Sequence, residues 1–137
     1  MAFEQNPYAI KITLVAGADF SSSQYKFVSK PGAPVTGTPS CTIVASPTVR
    51  PFGILQNAPK QNFEAEVTVS GITKVLVGTG GITVGDAIGA GSDGAAVSLT
   101  PVASSATKYI VGTALQSGAA GDIIAVAISC SNAVLSA

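Results

Sequence analysis

The sequence contains no histidine and no tryptophan among its 137 residues. Histidine is the commonest general acid or base near neutral pH and the commonest metal ligand in proteins. Its absence excludes the Ser-His-Asp and Cys-His arrangements of many hydrolases. We therefore predict a protein that is not an enzyme, with no catalytic residues, no cofactor and no bound metal.

Charged side chains are also scarce. They make up 10% of the residues, whereas an ordinary soluble domain has about 25%. Seven basic and seven acidic residues give a net charge of zero, and the basic residues are scattered singly. No run of them could neutralise successive phosphates, so no nucleic-acid partner is expected. Few charges and many small residues are typical of a subunit that lies against other protein.

Cysteine is limited to Cys41 and Cys130. The pair fits either two small buried apolar residues or one disulfide, and a reducing cytosol favours the thiols. No apolar run approaches the roughly 18 residues of a membrane span, so no membrane partner is expected. Glu4 and Lys11 interrupt the N-terminal region where a secretory signal would need an unbroken apolar run. We therefore expect synthesis in the cytoplasm without a signal peptide.

Short segments with the period-2 alternation of β-strands fill most of the chain. The clearest stretch is residues 63–88, FEAEVTVSGITKVLVGTGGITVGDAI. Glu64 and Glu66 share one side of its first strand and are predicted to face solvent or a subunit contact rather than to form a catalytic pair. Ser70 and Gly71 are predicted to break this stretch into two strands, with Gly71 as a structural turn of a meander.

Two Gly-Asp pairs recur, Gly85-Asp86 and Gly121-Asp122, and each precedes an apolar pair. Glycine can adopt the left-handed backbone that closes a turn, and aspartate accepts hydrogen bonds from nearby backbone amides. We predict that both pairs are structural turns that start strands. A metal-binding or catalytic role is disfavoured because no partner acid or histidine flanks either aspartate.

The chain length favours one domain. Residues 1–7 are predicted to form an extended N-terminal arm, and residues 8–137 a single β domain. Within it, residues 30–51 form a Pro-rich loop that holds five of the eight prolines, and residues 52–128 form the best-patterned β core. The predicted fold class is all-β, a small antiparallel β-barrel or sandwich with an extended N-terminal arm and a Pro-rich loop, and the choice between barrel and sandwich stays open.

Residues 53–128 resemble the small tailed-phage capsid decoration proteins, also called capsid cement proteins. The segment SGITKV (70–75) resembles their central strand, and GDAI (85–88) followed by Asp93-Gly94 resembles their Gly-Asp turn. Residues 112–128 resemble their C-terminal ending. The likeness covers more than half of the chain and consists of turn and strand features rather than chemical groups.

The resemblance implies a non-enzymatic structural virion protein that binds the outer capsid surface and cements neighbouring subunits of the major capsid protein. It also implies self-association, as a homotrimer or a dimer. An extended N-terminal arm is expected to contact the capsid protein, and its candidate residues are Ala2, Phe3, Glu4, Gln5, Asn6 and Pro7.

The alternative is a head-fibre or a receptor- or glycan-binding module of a virion. A sugar site usually needs clustered aromatic residues, whereas Tyr8, Tyr25 and Tyr109 lie far apart in the sequence. The sequence therefore favours the decoration protein.

Overall fold

The β-strand patterns of the sequence become twelve strands in the computed structural model, which describes residues 9–29, 31–35, 37–99, 108–130 and 134–136. The all-β prediction is confirmed. No helix in this described part is long and apolar enough to cross a membrane. The strands are β1 (Ile10–Ala16), β2 (Phe27–Ser29), β3 (Pro34–Val35), β4 (Thr38–Cys41), β5 (Pro51–Leu55), β6 (Glu64–Leu76), β7 (Ala87–Ala90), β8 (Ala96–Ser98), β9 (Lys108–Ile110), β10 (Gly112–Ala114), β11 (Ile123–Ser129) and β12 (Val134–Ser136).

Ten strands form one mixed sheet, and β9 pairs with β12 in a separate ribbon. Strands β1 and β4 pair in parallel, with Val15 opposite Ser40, whereas β1 and β11 both pair antiparallel with β6. The sequence predicts an antiparallel sheet, whereas the β1–β4 pair is parallel, so the sheet is mixed. The sheet is not closed into a barrel, so the barrel alternative is wrong. A parallel pair requires a long connection, and the chain between β1 and β4 supplies one.

The Pro-rich loop predicted at residues 30–51 contains strands β3 and β4, so residues 34–35 and 38–41 are corrected from loop to strand. Strands β3 and β4 form a short hairpin in which Pro34 pairs with Pro39 and Val35 with Thr38. Because β4 also pairs with β1, this hairpin extends the main sheet at one side. The core pattern then resumes one residue early, at Pro51.

The apolar side chains pack into two clusters, one on each side of strands β2 and β5. Successive residues of a strand point to opposite faces. Phe27 and Ile54 therefore enter the larger cluster, while their neighbours Val28 and Leu55 enter the smaller one. All four are fully buried. The antiparallel pair of β2 and β5 is therefore the layer between the two clusters.

Strand β6 is the longest element and contributes to both clusters. Near its start Ala65 and Val67 pack in the smaller cluster, and towards its end Val69 and Val75 pack in the larger one. The strand has 13 residues, which at about 3.3 Å per residue corresponds to roughly 40 Å. Its two ends therefore lie in different parts of the molecule.

Strand β6 runs without interruption through Gly71, so the turn predicted at this position is absent and the expected break between two strands is wrong. Gly71 does have a positive φ of 116°. Its neighbour Ser70 pairs with both Ile10 and Ser129, and the register with β1 slips here because Val69 is an extra residue. The feature is therefore a β-bulge, which bends a strand and does not end it.

Gly71 also allows a close backbone approach. A Cβ atom added to it would lie 2.8 Å from the Cα atom of Ala9, a distance that real contacts of this kind do not reach. Ala9 thus packs directly against the backbone of β6 at Gly71, where there is no side chain.

We expect Gly71→Val to lower the free energy of unfolding by about 1–2 kcal/mol or more, because valine at positive φ is strained and would collide with Ala9. Denaturant unfolding followed by circular dichroism measures the change. Ser70→Val is the control, since Ser70 is the neighbouring residue of β6, has no positive φ and is half-buried, and its effect should stay within about 0.5 kcal/mol. An unchanged midpoint for Gly71→Val would contradict the strain argument.

Cys41 and Cys130 are both buried free thiols, so the structure favours the thiol alternative over the disulfide. Burial raises the pKa of the Cys41 thiol to about 11 and that of the Cys130 thiol to about 12. The thiolate is the reactive form, and very little of it is present at pH 8.

We expect neither thiol of the native protein to react with Ellman's reagent at pH 8 on the timescale of minutes. Both should react at once in guanidinium chloride, because unfolding removes the burial that raises their pKa values. Rapid release of the chromophore from the native protein would show that at least one thiol is accessible.

Candidate interaction surfaces

The two Gly-Asp pairs form two copies of one turn, Thr83–Asp86 and Ala119–Asp122. Gly85 and Gly121, at the third positions, have φ values of 91° and 92°, as a type II turn requires. In each turn the aspartate N–H donates to the carbonyl of the first residue at 3.0 Å. Its carboxylate accepts the N–H of that same residue, at 3.0 Å in the first turn and 2.9 Å in the second. Strands β7 and β11 begin directly after the two turns.

The structure brings these two turns together. Ile82 and Gly118, the residues just before them, form an isolated antiparallel bridge through two hydrogen bonds of 2.9 Å. The N–H of Val84 donates to Oγ of Ser117 at 2.8 Å. We call residues 82–86 and 117–123 the paired-turn end.

Each turn also docks on the strand end that precedes the other turn. Gly85 donates to the carbonyl of Ala114, and the Ala114 N–H donates to the carbonyl of Asp86, at 2.8 and 3.0 Å. In the second turn Gly121 and Asp122 make the equivalent pair of bonds with Val77, at 2.9 and 2.8 Å. The docking is therefore reciprocal, and this relation is not visible in the sequence.

The paired-turn end exposes two large apolar side chains among small residues, together with Thr83, Ser117 and Asp122. Val84 is 58% exposed and Ile123 is 42% exposed, and Ala119 and Ala120 beside them are exposed too. Both aspartate carboxylates of this end are engaged in the turn hydrogen bonds described above. Such a surface can be covered by another protein at a low desolvation cost.

Gly71 is not part of this end, and the predicted arm of residues 1–7 lies outside the described residues. The chain enters the described part at Ala9, beside Gly71 in the middle of β6.

A second surface lies at the start of β6, around Phe63. Two open grooves of about 260 and about 320 Å³ share Asn57 and Glu64 as lining residues. Phe63, which is 66% exposed, lines the larger groove. We call this pair of grooves the Phe63 groove, and its lining residues are Lys11, Ile12, Thr13, Asn57, Pro59, Lys60, Phe63, Glu64 and Glu66.

The backbone holds Phe63 in place although its ring is exposed. Asn62 adopts a positive φ of 68°, and the Phe63 N–H donates to the carbonyl of Lys60 at 3.1 Å. Ala16 donates to the carbonyl of Phe63 and accepts from the N–H of Asn62, both at 2.9 Å. The ring is therefore presented by a fixed loop.

Three polar side chains of the Phe63 groove have defined partners. The Asn57 side chain donates to the carbonyl of Glu64 and accepts from the N–H of Glu66, both at 3.0 Å. The Lys11 ammonium lies 3.3 Å from the Glu66 carboxylate. The prediction that the two glutamates face solvent or an ionic contact agrees with these positions, since both side chains are exposed.

Charge is concentrated around this groove. Of the seven basic and seven acidic residues, two lysines and two glutamates line it. Asp19 lies close enough to Lys60 for an electrostatic interaction. The hydrogen bond from the Ser21 backbone N–H is the main reason that the pKa of Asp19 is lowered, and Lys60 adds a smaller contribution.

No group of three or more metal-ligating acids, cysteines or histidines occurs within the described ranges. The sequence pattern also missed the Phe63 groove, because Phe63 is in phase with the buried Ala65 and Val67 and would be assigned to the same face. The signal for its exposure is Asn62, a residue type that tolerates positive φ and ends an alternation.

The structure is thus an all-β domain built on an open mixed sheet, with exposed apolar side chains at the paired-turn end and at Phe63. By structure, the chain is similar to the head fibre gp8.5 N base of bacteriophage phi29, with a TM-score of 0.65, 18% sequence identity, and coverage of 89% of this chain and 95% of that chain. At this identity the likeness establishes the fold. No family model matches the sequence, and no curated protein matches it.

Proposed function

We propose that the chain is a non-enzymatic structural protein of a phage virion, attached to the outer surface of the head. The observation that carries the proposal is the fold shared over 89% of the chain with a phage head-fibre base. The motif resemblance to capsid decoration proteins supports the same location, and so does the low charge content of 10%.

The proposed partner is the major capsid protein, and the proposed contact is the paired-turn end. Burying a charged side chain at an interface is costly, so an end whose exposed large residues are Val84 and Ile123 is the better contact. The charged Phe63 groove lies at the other end of β6 and would then face solvent. The N-terminal arm, residues 1–7, is proposed as a second contact.

Two forms of attachment fit this location. The structural neighbour favours the base of a head fibre, whereas the motifs at 70–75 and 85–88 favour a cement protein that joins capsid subunits. Self-association, as a homotrimer or a dimer, suits both forms, because several weak contacts in one oligomer add up to lasting attachment.

Co-sedimentation with purified phage heads, combined with light scattering of the free protein, tests the proposal. We expect a stable oligomer that binds heads at a fixed ratio per capsid subunit. Val84→Asp should weaken binding at least tenfold, while Val49→Asp, at an exposed valine outside the paired-turn end, should not. Removal of residues 1–7 should leave the fold intact and weaken attachment. Failure of the protein to co-sediment with phage heads would refute the proposal.

The heat stability of phage heads distinguishes a cement protein from a fibre base. Heads that lack a cement protein should break open at a lower temperature than complete heads, whereas heads that lack a fibre base should keep their stability. Electron microscopy of the same particles shows whether a projection is lost.

A further inference from the structure

The exposed ring of Phe63 is the starting observation. It is the most exposed of the large hydrophobic side chains in the described part of the chain, at 66%. Three backbone hydrogen bonds of the loop keep it at the mouth of a groove. An exposed aromatic ring on a backbone that is already fixed offers a large contact area, and its loop loses little further entropy on binding.

The groups around the ring restrict the ligand. Two lysines and two glutamates line the groove, so it has no excess of positive charge to select phosphate or another anion. The open, charged groove is unsuited to an apolar small molecule, which binds in enclosed apolar pockets. A ligand that fits has one apolar face for the ring and a rim of hydroxyl groups for carboxylate and ammonium groups.

We propose that the Phe63 groove binds a carbohydrate. A pyranose ring has C–H groups on one face and hydroxyls around its edge. In the proposed complex the C–H face stacks on Phe63, the Glu64 carboxylate accepts from hydroxyls, and the Lys60 ammonium donates to them.

The groove has room for more than one sugar unit. The adjoining groove, of about 260 Å³, shares Asn57 and Glu64 with the Phe63 side and is also lined by the Lys11–Glu66 ion pair. That pair offers a donor and an acceptor 3.3 Å apart, which matches two neighbouring hydroxyls of a second unit. Because hydrogen bonds already fix the Asn57 side chain, the two halves keep a constant spacing. The proposed ligand is therefore an oligosaccharide of at least two units.

The proposed sugar binding does not depend on the proposed function. The biological role of that binding, contact between a virion and cell-surface glycans, does rest on it. If the paired-turn end contacts the head, the Phe63 groove is on the outward side, where glycans of a cell surface are within reach. An open site of this kind binds a single glycan weakly, in the range of about 0.1–1 mM, and the copies on one virion act together.

The test is a screen of the full-length purified chain on an array of bacterial surface oligosaccharides, followed by NMR titration with each hit. We expect saturable binding, with amide shifts at Lys60, Phe63 and Glu64. Phe63→Ala should weaken it at least tenfold, Phe63→Trp should preserve or strengthen it, and Val49→Ala, at an exposed apolar residue outside both candidate surfaces, should leave it unchanged.

Three results would overturn the proposal. One is an array without saturable hits, and another is glycan binding that survives Phe63→Ala. The third is a Phe63→Ala variant that loses attachment to heads while glycan binding is absent, which would identify the ring as a protein contact. Failure of head binding alone would count against the proposed function and not against the sugar site.

Discussion

Phe27→Ala is expected to lower the free energy of unfolding by about 3–5 kcal/mol. Phe27 is fully buried and is the largest side chain of the larger cluster. Its backbone also joins three parts of the chain, since its N–H donates to Gly94 at 2.8 Å and its carbonyl accepts from Val44 at 3.0 Å. The surrounding strands are thus held in place and cannot collapse into the cavity that the substitution leaves.

Phe63→Ala is the matched control, because it removes the same ring from an exposed site. Its effect on stability should stay within about 0.5 kcal/mol. Urea or guanidinium unfolding of the two variants gives the comparison. Equal, small effects would mean that the larger cluster can repack around the missing ring.

Gly112→Val is the second substitution with a large expected effect, a loss of about 3 kcal/mol or more that can abolish folding. A Cβ atom at Gly112 would lie 2.1 Å from the carbonyl oxygen of Ala127 and 3.0 Å from the Cα atom of Ile128. These are backbone atoms of β11, so no side-chain movement relieves the collision. The strand pairing between β10 and β11 would have to separate.

Soluble yield and the circular dichroism spectrum measure this effect. Thr113→Val is the control, because Thr113 is the next residue of β10, is exposed, and already carries a β-branched side chain. It should leave stability nearly unchanged. Native-like unfolding of Gly112→Val would show that the two strands do not approach as closely as described.

The parts of the fold that depend on short stretches of sequence could be predicted. A glycine followed by aspartate and an apolar pair encodes its own turn, since the carboxylate bonds to an amide three residues earlier. The strand starts at Ala87 and Ile123 follow from it. The all-β class follows likewise from alternation and from the scarcity of helix signals.

The rest depends on contacts between distant residues. The glycine at position 71 suggested a turn, and the structure does give it a positive φ. However, Ala9 and β11 occupy the space around Gly71, and β6 continues through it. The parallel pairing of β1 with β4 has no local signature either. Phe63 follows the alternation of a buried face, and only the folded loop shows that it points to water.

The reciprocal docking at the paired-turn end has a consequence for its cooperativity. Each turn completes its hydrogen bonds only on a strand end, Val77 or Ala114, that belongs to the other half of the pair. The two turns should therefore open as one unit in amide exchange, although 36 positions separate Gly85 from Gly121. A partner that binds at Val84 would by linkage also stabilise the backbone around Ile123. Binding at the first turn would therefore increase the affinity of the second turn for the same partner.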